Sequence, residues 1–205
     1  SEVNDILNKA SKTKGLELDE IALLLNVSDE KQLSKISKTA LKIKEEIYGK
    51  RMVLFAPLYV SNYCSNNCLY CGFRSENKDI KRKVLSVDEI KEETEYLLSQ
   101  GHKRLLMLMG ENHKNCDLDY FIEAVKTAYS VKDSKGNSIR RINLEIAPLK
   151  DDEFQKLKDV DIGTYTVFQE TYHKETYKQV HPSGPKANYD FRLETMDRAL
   201  TNGLH

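Results

Sequence analysis

Cys64, Cys68 and Cys71 are the residues of this chain whose type and spacing most directly imply chemistry. They lie in the stretch YVSNYCSNNCLYCGF (59–73), spaced Cys-x-x-x-Cys-x-x-Cys, after an apolar run, VLFAPLYV, that reads as a buried strand. Thiolates at this spacing can converge on one metal centre from a single loop, and an odd number of them cannot all pair as disulfides. Three thiolates on a cubane of four irons leave one iron open to a small molecule, because such clusters are held by cysteine sulfur. A structural zinc site is the other reading. It asks for four protein ligands, and the remaining cysteine, Cys116, has His113 close by in sequence. Zinc gives no reason for the apolar strand that feeds the loop.

The elements that must position these thiols follow from the apolar periodicity. From residue 3 to about 47, apolar residues recur at helical spacing (Ile6, Leu7 and Ala10, then Leu16 and Leu18, then 21–25), with Asp19 and Ser28 as candidate helix starts. Residues 1–50 therefore read as a helical N-terminal extension carrying no cluster of titratable groups. After Gly49, strands are expected at 53–60, 103–110, 141–147 and 163–171. Helices are expected at 86–102, 117–130, 151–160 and 189–203, the first opened by Ser86 with Glu89 three residues on, a capping-box pattern. Four β-then-α units in series predict an α/β domain, a parallel sheet with helices outside. Right-handed crossovers would curl it into a barrel or a doubly wound sheet. No Gly-x-Gly-x-x-Gly follows a strand, which disfavours a dinucleotide-binding sheet. A (β/α) TIM-type barrel takes about eight units and about 250 residues. Residues 51–205 supply about the first four units, so the expectation is the first half of such a barrel.

In a parallel barrel the chemistry sits where strands run into helices. The first strand ends in the cysteine loop and the second in Gly110-Glu111, a glycine that lets backbone approach a ligand, then a carboxylate. On the third, Asn143 and Glu145 share a face, and Glu145 should meet a polar partner, sit in the cavity or face solvent. The fourth ends in Gln169, Glu170 and Thr171, and its helix carries Arg192 one turn in. A carboxylate and an amide suit ribose hydroxyls, and an arginine suits a carboxylate bidentately.

The cysteine spacing, with the aromatic Tyr70 before the last thiol, resembles the signature of the radical S-adenosylmethionine (SAM) superfamily. The resemblance implies a TIM-type barrel and a [4Fe-4S] cluster on Cys64, Cys68 and Cys71. It further implies SAM's methionine on the open iron, Tyr70 at the cofactor, and cleavage of SAM to a 5'-deoxyadenosyl radical. Gly110-Glu111 resembles the superfamily's Gly-Glu strand end, whose backbone receives the methionine ammonium. Gln169-Glu170-Thr171, followed by a Tyr-x-x-Arg-Leu-x-Thr helix, resembles the biotin synthases. That implies Glu170 on SAM's ribose, Gln169 as its companion and Arg192 on SAM's carboxylate.

From about Arg51 onward, PLYVSNYC, CLYCGF, IKRKVLS, IGTYTVFQETYH, HPSGPK and MDRA resemble the superfamily's aromatic amino-acid lyases. HPSGPK after FQETYH favours the tyrosine lyases of [FeFe]-hydrogenase maturation over those of the thiamine pathway, whereas LMLMGEN departs from the alanine-rich strand end of the former. The resemblance implies L-tyrosine as substrate and Cα–Cβ scission to p-cresol and dehydroglycine, leading to carbon monoxide and cyanide. It also implies an electron donor such as ferredoxin or flavodoxin, and it admits a homodimer. The maturases' C-terminal domain, with a second cluster on its own cysteines, has no counterpart in these residues. A non-enzymatic, metal-stabilised binding module is the alternative from another class.

Composition narrows the partners. Lys+Arg and Asp+Glu are both 32, so no net charge draws the chain to nucleic acid or an acidic membrane. A 40% hydrophobic and 31% charged composition suits a soluble protein, with neither a membrane-length apolar run nor a secretory signal expected. Clustered thiols belong in a reducing compartment, so the expectation is cytoplasmic. Cys116 is expected in a loop or at a helix start without being a ligand, and His102 at a helix C-terminus. His173 and His181 stand open between acid–base work and local hydrogen bonding. The basic KDIKRK (78–83) reads as a solvated face.

Overall fold

Four short apolar runs form four strands, β1 (Ala56–Ser61), β2 (Arg104–Met109), β3 (Arg141–Glu145) and β4 (Tyr165–Thr166), paired in parallel in the order β1-β2-β3-β4. They belong to a computed structural model that describes residues 2–204. The chain divides between Val53 and Leu54 into two compact units.

The first unit holds α1 (Glu2–Ala10), α2 (Leu18–Leu25) and α3 (Glu30–Tyr48). The caps of α2 and α3 are Glu17 and Asp29, each within two residues of the expected starts at Asp19 and Ser28. Asp29 takes the role because its carboxylate accepts the Gln32 amide at 2.9 Å. No helix among the described residues is long and apolar enough to cross a membrane.

In the second unit each strand is followed by a helix, the arrangement of the radical SAM-type half-barrel expected from the sequence. After β1 comes α4 (Val87–Ser99), opened by the full Ser86–Glu89 capping box. After β2 comes α5 (Leu118–Ser130), capped by Asp117, and after β3 comes α6 (Asp151–Lys158), acidic in its first turn and basic in its last, as the helix dipole favours. Alternate residues of the strands, Val60, Met107, Ile142 and Leu144, bury completely against Ile90, Phe121, Val125, Phe154 and Leu157 of these helices. That packing fixes which ends of the strands lie together, and so where the loops can cooperate.

Three expected elements differ. β1 begins at Ala56 rather than 53, because the ladder starts at Ala56↔Leu105 and Val53, Leu54 and Phe55 stay exposed. β4 keeps two residues of the nine expected at 163–171, since β3 stops at Glu145, which pairs with Thr166. Glu170 then takes φ 67°, which no extended strand can continue, and the chain turns into α7 (Lys174–Val180), which the sequence reading did not anticipate. The expected helix at 189–203 is two, α8 (Tyr189–Leu193) and α9 (Thr195–Thr201). The guanidinium of Arg198 donates to the Phe191 carbonyl, the acceptor that a continuous helix would give to the amide of Thr195.

The Tyr120 hydroxyl ties α5 to the end of β1, donating to the carbonyls of Leu85 (2.8 Å) and Val60 (3.1 Å). Burial pushes this phenol up to about 12, so it stays a donor through the neutral range. Tyr120→Phe should lower unfolding free energy by about 1 kcal/mol with little change in urea m-value. An unchanged urea midpoint would show that the link is dispensable.

Candidate active site

The cysteine loop leaves β1 and is closed at its neck. The amide of Leu85 donates to Val60 (2.9 Å), that of Asn62 to Lys83 (3.1 Å), and the Asn62 side chain accepts the Lys83 amide at 2.7 Å. Arg82 fills the enclosed space, its guanidinium donating to the carbonyls of Asn62, Phe73, Arg74 and Asn77 at 2.6–3.1 Å. The expectation that KDIKRK is wholly a solvated face is thus corrected at Arg82, whose charge gathers backbone carbonyls that would otherwise face one another unpaired. Cys68 is buried, while Cys64 and Cys71 are half-buried, and all three are free thiols. Burial pushes the Cys68 thiol up, and the nearby Lys186 ammonium works against it.

The loop rests on the end of β2 at Gly110. A methyl group there would meet the Tyr63 carbonyl oxygen at 2.2 Å and the Cys64 Cβ at 3.2 Å, so only glycine admits the contact. The Ser65 amide donates to the Glu111 carbonyl at 2.7 Å. Asn66, between the first two cysteines, donates from Nδ2 to Glu111 Oε2 (2.6 Å) and accepts the Lys186 amide on Oδ1 (2.7 Å). Gly184 presses against Asn66 from the other side at φ +93°, its missing Cβ 2.6 Å from the asparagine.

These elements enclose a cavity of about 370 Å³, and among its lining residues are Cys64, Cys68, Tyr70, Cys71, Gly110, Glu111, Glu170 and Arg192. Eight of the nine site residues expected from sequence thus line one space, and Gln169 does not. Its amide nitrogen is buried without a hydrogen-bond partner. Glu145 lines the cavity too, one of the outcomes left open for it, and burial with the Glu170 charge pushes its carboxyl up. Burial is the largest influence on Glu170 and acts to raise it, but the bond from Lys186 Nζ at 2.7 Å, the charge of that ammonium, and smaller help from Tyr70 and Arg192 together outweigh it and leave that carboxyl below its ordinary value. Arg192 is 6% exposed, and its Nε and Nη1 have no hydrogen-bond partner.

Asn66 and Lys186 escaped the sequence reading as site residues. HPSGPK carried a signal, since it sets a lysine two residues after a glycine, at Lys186 and Gly184. Of the two histidines left open, His173 has a local task, accepting the Thr176 amide as cap of α7. His181 is buried, and its Nδ1 lies 2.8 Å from the Tyr177 carbonyl, which assigns the proton to Nδ1 and makes Nε2 the acceptor of the Tyr70 hydroxyl at 2.6 Å. Cys116 lies buried in the loop before α5, its sulfur 3.7 Å from the Gly110 carbonyl.

Two orphaned guanidinium nitrogens are costly unless a ligand brings acceptors, and a carboxylate matches their fork. The same cavity is lined by ionisable oxygens and by three thiols on one loop. Among the described residues no three His, Cys, Asp or Glu side chains converge on a single metal ion. A cubane held by three thiolates takes them on three separate irons and so asks for wider spacing than one zinc ion. The donor set therefore fits an iron–sulfur cluster beside a small carboxylate-bearing ligand.

Residues 58–205 match the family model described as the radical SAM superfamily. The chain is 31% identical, over its full length and 51% of the relative, to the 2-iminoacetate synthase of Escherichia coli (strain K12). It is similar to the crystal structure of HydG, a maturase of the [FeFe]-hydrogenase, at 50% identity and TM-score 0.95, covering 98% of this chain and 44% of that one. The HydG of Carboxydothermus hydrogenoformans gives 42% identity and TM-score 0.87, covering 99% and 46%. The chain thus spans about half the length of these relatives.

Gly110→Ala tests the loop contact. The added methyl must displace backbone, so stability should fall by about 1–3 kcal/mol, and the thiols of Cys64 and Cys68 should react faster with a disulfide reagent. Wild-type reactivity would mean that the loop does not depend on this approach.

Proposed function

The chain belongs to the radical SAM superfamily, and on that premise we propose that it forms the cluster- and SAM-binding half of a tyrosine lyase serving [FeFe]-hydrogenase maturation. Members of the superfamily use a [4Fe-4S] cluster and SAM. The reaction cleaves the Cα–Cβ bond of tyrosine to p-cresol and dehydroglycine (2-iminoacetate), which goes on to carbon monoxide and cyanide.

The cluster supplies, when bound, the electron that splits SAM to a 5'-deoxyadenosyl radical. The residues of this chain do the rest by holding and orienting. Cys64, Cys68 and Cys71 bind three irons. The backbone at Gly110-Glu111 receives SAM's ammonium, and Arg192 its carboxylate. Glu170 accepts from the ribose hydroxyls, a role in which Gln169, off the cavity wall, takes no part, and Tyr70 closes the cofactor side of the cavity, fixed by His181. Electrons come from a one-electron donor such as ferredoxin or flavodoxin, in a reducing cytoplasm, and a homodimer is compatible with this arrangement.

The observation that carries this reading is Arg192, a buried guanidinium with two unpartnered nitrogens on the wall of the cavity that the three cysteines line. The 50% identity to HydG favours the hydrogenase pathway. The match of the whole of this chain to 51% of a 2-iminoacetate synthase supports the second reading, a thiamine-pathway lyase with the same bond cleavage.

In the whole protein that carries this chain, reconstituted anaerobically, tyrosine, SAM and a strong reductant should yield p-cresol. Arg192→Ala should weaken SAM about tenfold to a hundredfold in a titration followed by EPR, and Arg192→Lys should weaken it less, because the point charge keeps attraction without the planar fork. No p-cresol from the intact protein would refute the lyase. An unchanged SAM affinity in Arg192→Ala would move the carboxylate contact elsewhere.

A further inference from the structure

Lys186 is held from both ends of its backbone. Its amide donates to Asn66 Oδ1 at 2.7 Å, and its carbonyl accepts the Tyr177 hydroxyl at 2.5 Å. The residue two before it, Gly184, takes a positive φ that only glycine adopts freely and packs against Asn66, so the turn leading into Lys186 is fitted to the cysteine loop. The Lys186 side chain is 11% exposed and donates to Glu170 Oε1 at 2.7 Å. Its ammonium also lies 5.7 Å from the centre of the Tyr70 ring. Glu170 sits at φ 67°, a left-handed conformation that a residue with a Cβ holds only when its surroundings determine it.

A surface ion pair would show none of this, as it needs neither a doubly anchored backbone nor a strained partner. The Lys186 bond uses one oxygen of the Glu170 carboxylate, and an ionised carboxylate has about four acceptor sites, so capacity remains for hydroxyl groups. The same ammonium offsets the repulsion of Glu145, whose carboxyl lines the cavity with Glu170. From the cysteine loop the chain of contacts is continuous: Asn66 Nδ2 holds Glu111, Asn66 Oδ1 holds the Lys186 amide, and Lys186 Nζ holds Glu170.

We infer that Lys186 is a positioning residue for the nucleoside half of the SAM site, presenting Glu170 to the ribose hydroxyls, and that Asn66 couples this presentation to closure of the cysteine loop. The inference rests on the function proposed above. It assigns Lys186 no contact with the reacting atoms. Its effect passes through Glu170, and that distinguishes it from a direct ligand contact.

The test is a double-mutant cycle on the whole protein with its cluster reconstituted, read as the SAM dissociation constant from EPR titration. Lys186→Met should retain wild-type iron content and visible absorption, with SAM affinity about tenfold weaker, the worth of one charge-assisted bond. Lys186→Arg should recover most of that loss. In a Glu170→Ala background, Lys186→Met should cause no further loss. Full additivity of the two substitutions, or wild-type affinity in Lys186→Met, would overturn the inference and leave the proposed function standing. A wild-type protein whose EPR signal ignores SAM would overturn both.

Discussion

The absence of a side chain at Gly110 is the constraint on which the site depends. With the Tyr63 carbonyl 2.2 Å from where a Cβ would stand, the cysteine loop can lie on the end of β2 only because that position is glycine. From this contact follow the Ser65–Glu111 backbone bond and the Asn66 bridge, which ties Glu111 to the turn carrying Lys186. The sheet supplies the rigid edge and Arg82 holds the loop's own carbonyls together. A loop of more than twenty residues is thereby placed without a strand of its own.

The cavity concentrates groups that weaken the folded chain when they stand alone. Arg192 buries unpartnered nitrogens, Glu170 occupies a left-handed conformation, and Glu145 and Glu170 share one space. Each opposes stability, and the apolar contacts between strands and helices at Phe121, Phe154 and Ile142 offset them. Strained and unsatisfied groups gather where a ligand would satisfy them. Their common location on the wall shared with the three thiols therefore supports a site for an anionic, hydroxyl-bearing molecule.

Much of this was legible in the sequence. The parallel order of strands came from apolar runs alternating with capped helices, and eight of the nine candidate residues line one cavity because strand ends of a parallel sheet converge. What the sequence hid is non-local or depends on single torsions. No pattern in FQETYH announces that Glu170 turns to a positive φ and ends β4 early, nor that Arg198 interrupts the last helix by taking the Phe191 carbonyl. Arg82 looked like one charge in a solvated run because composition cannot distinguish a guanidinium facing water from one facing four carbonyls. Asn66 looked like a spacer between cysteines, since its partners lie 45 and 120 residues away.

On the proposed function, the three cysteines of this loop leave one iron free for SAM's methionine while Arg192 holds its carboxylate. Electron–nuclear double resonance on the reduced, reconstituted protein, with SAM labelled by nitrogen-15 at the amino group and oxygen-17 at the carboxylate, tests it most directly. Hyperfine couplings from both labels are expected, arising from direct bonds to one iron. Their absence, in a protein that retains its cluster and binds SAM, would contradict it.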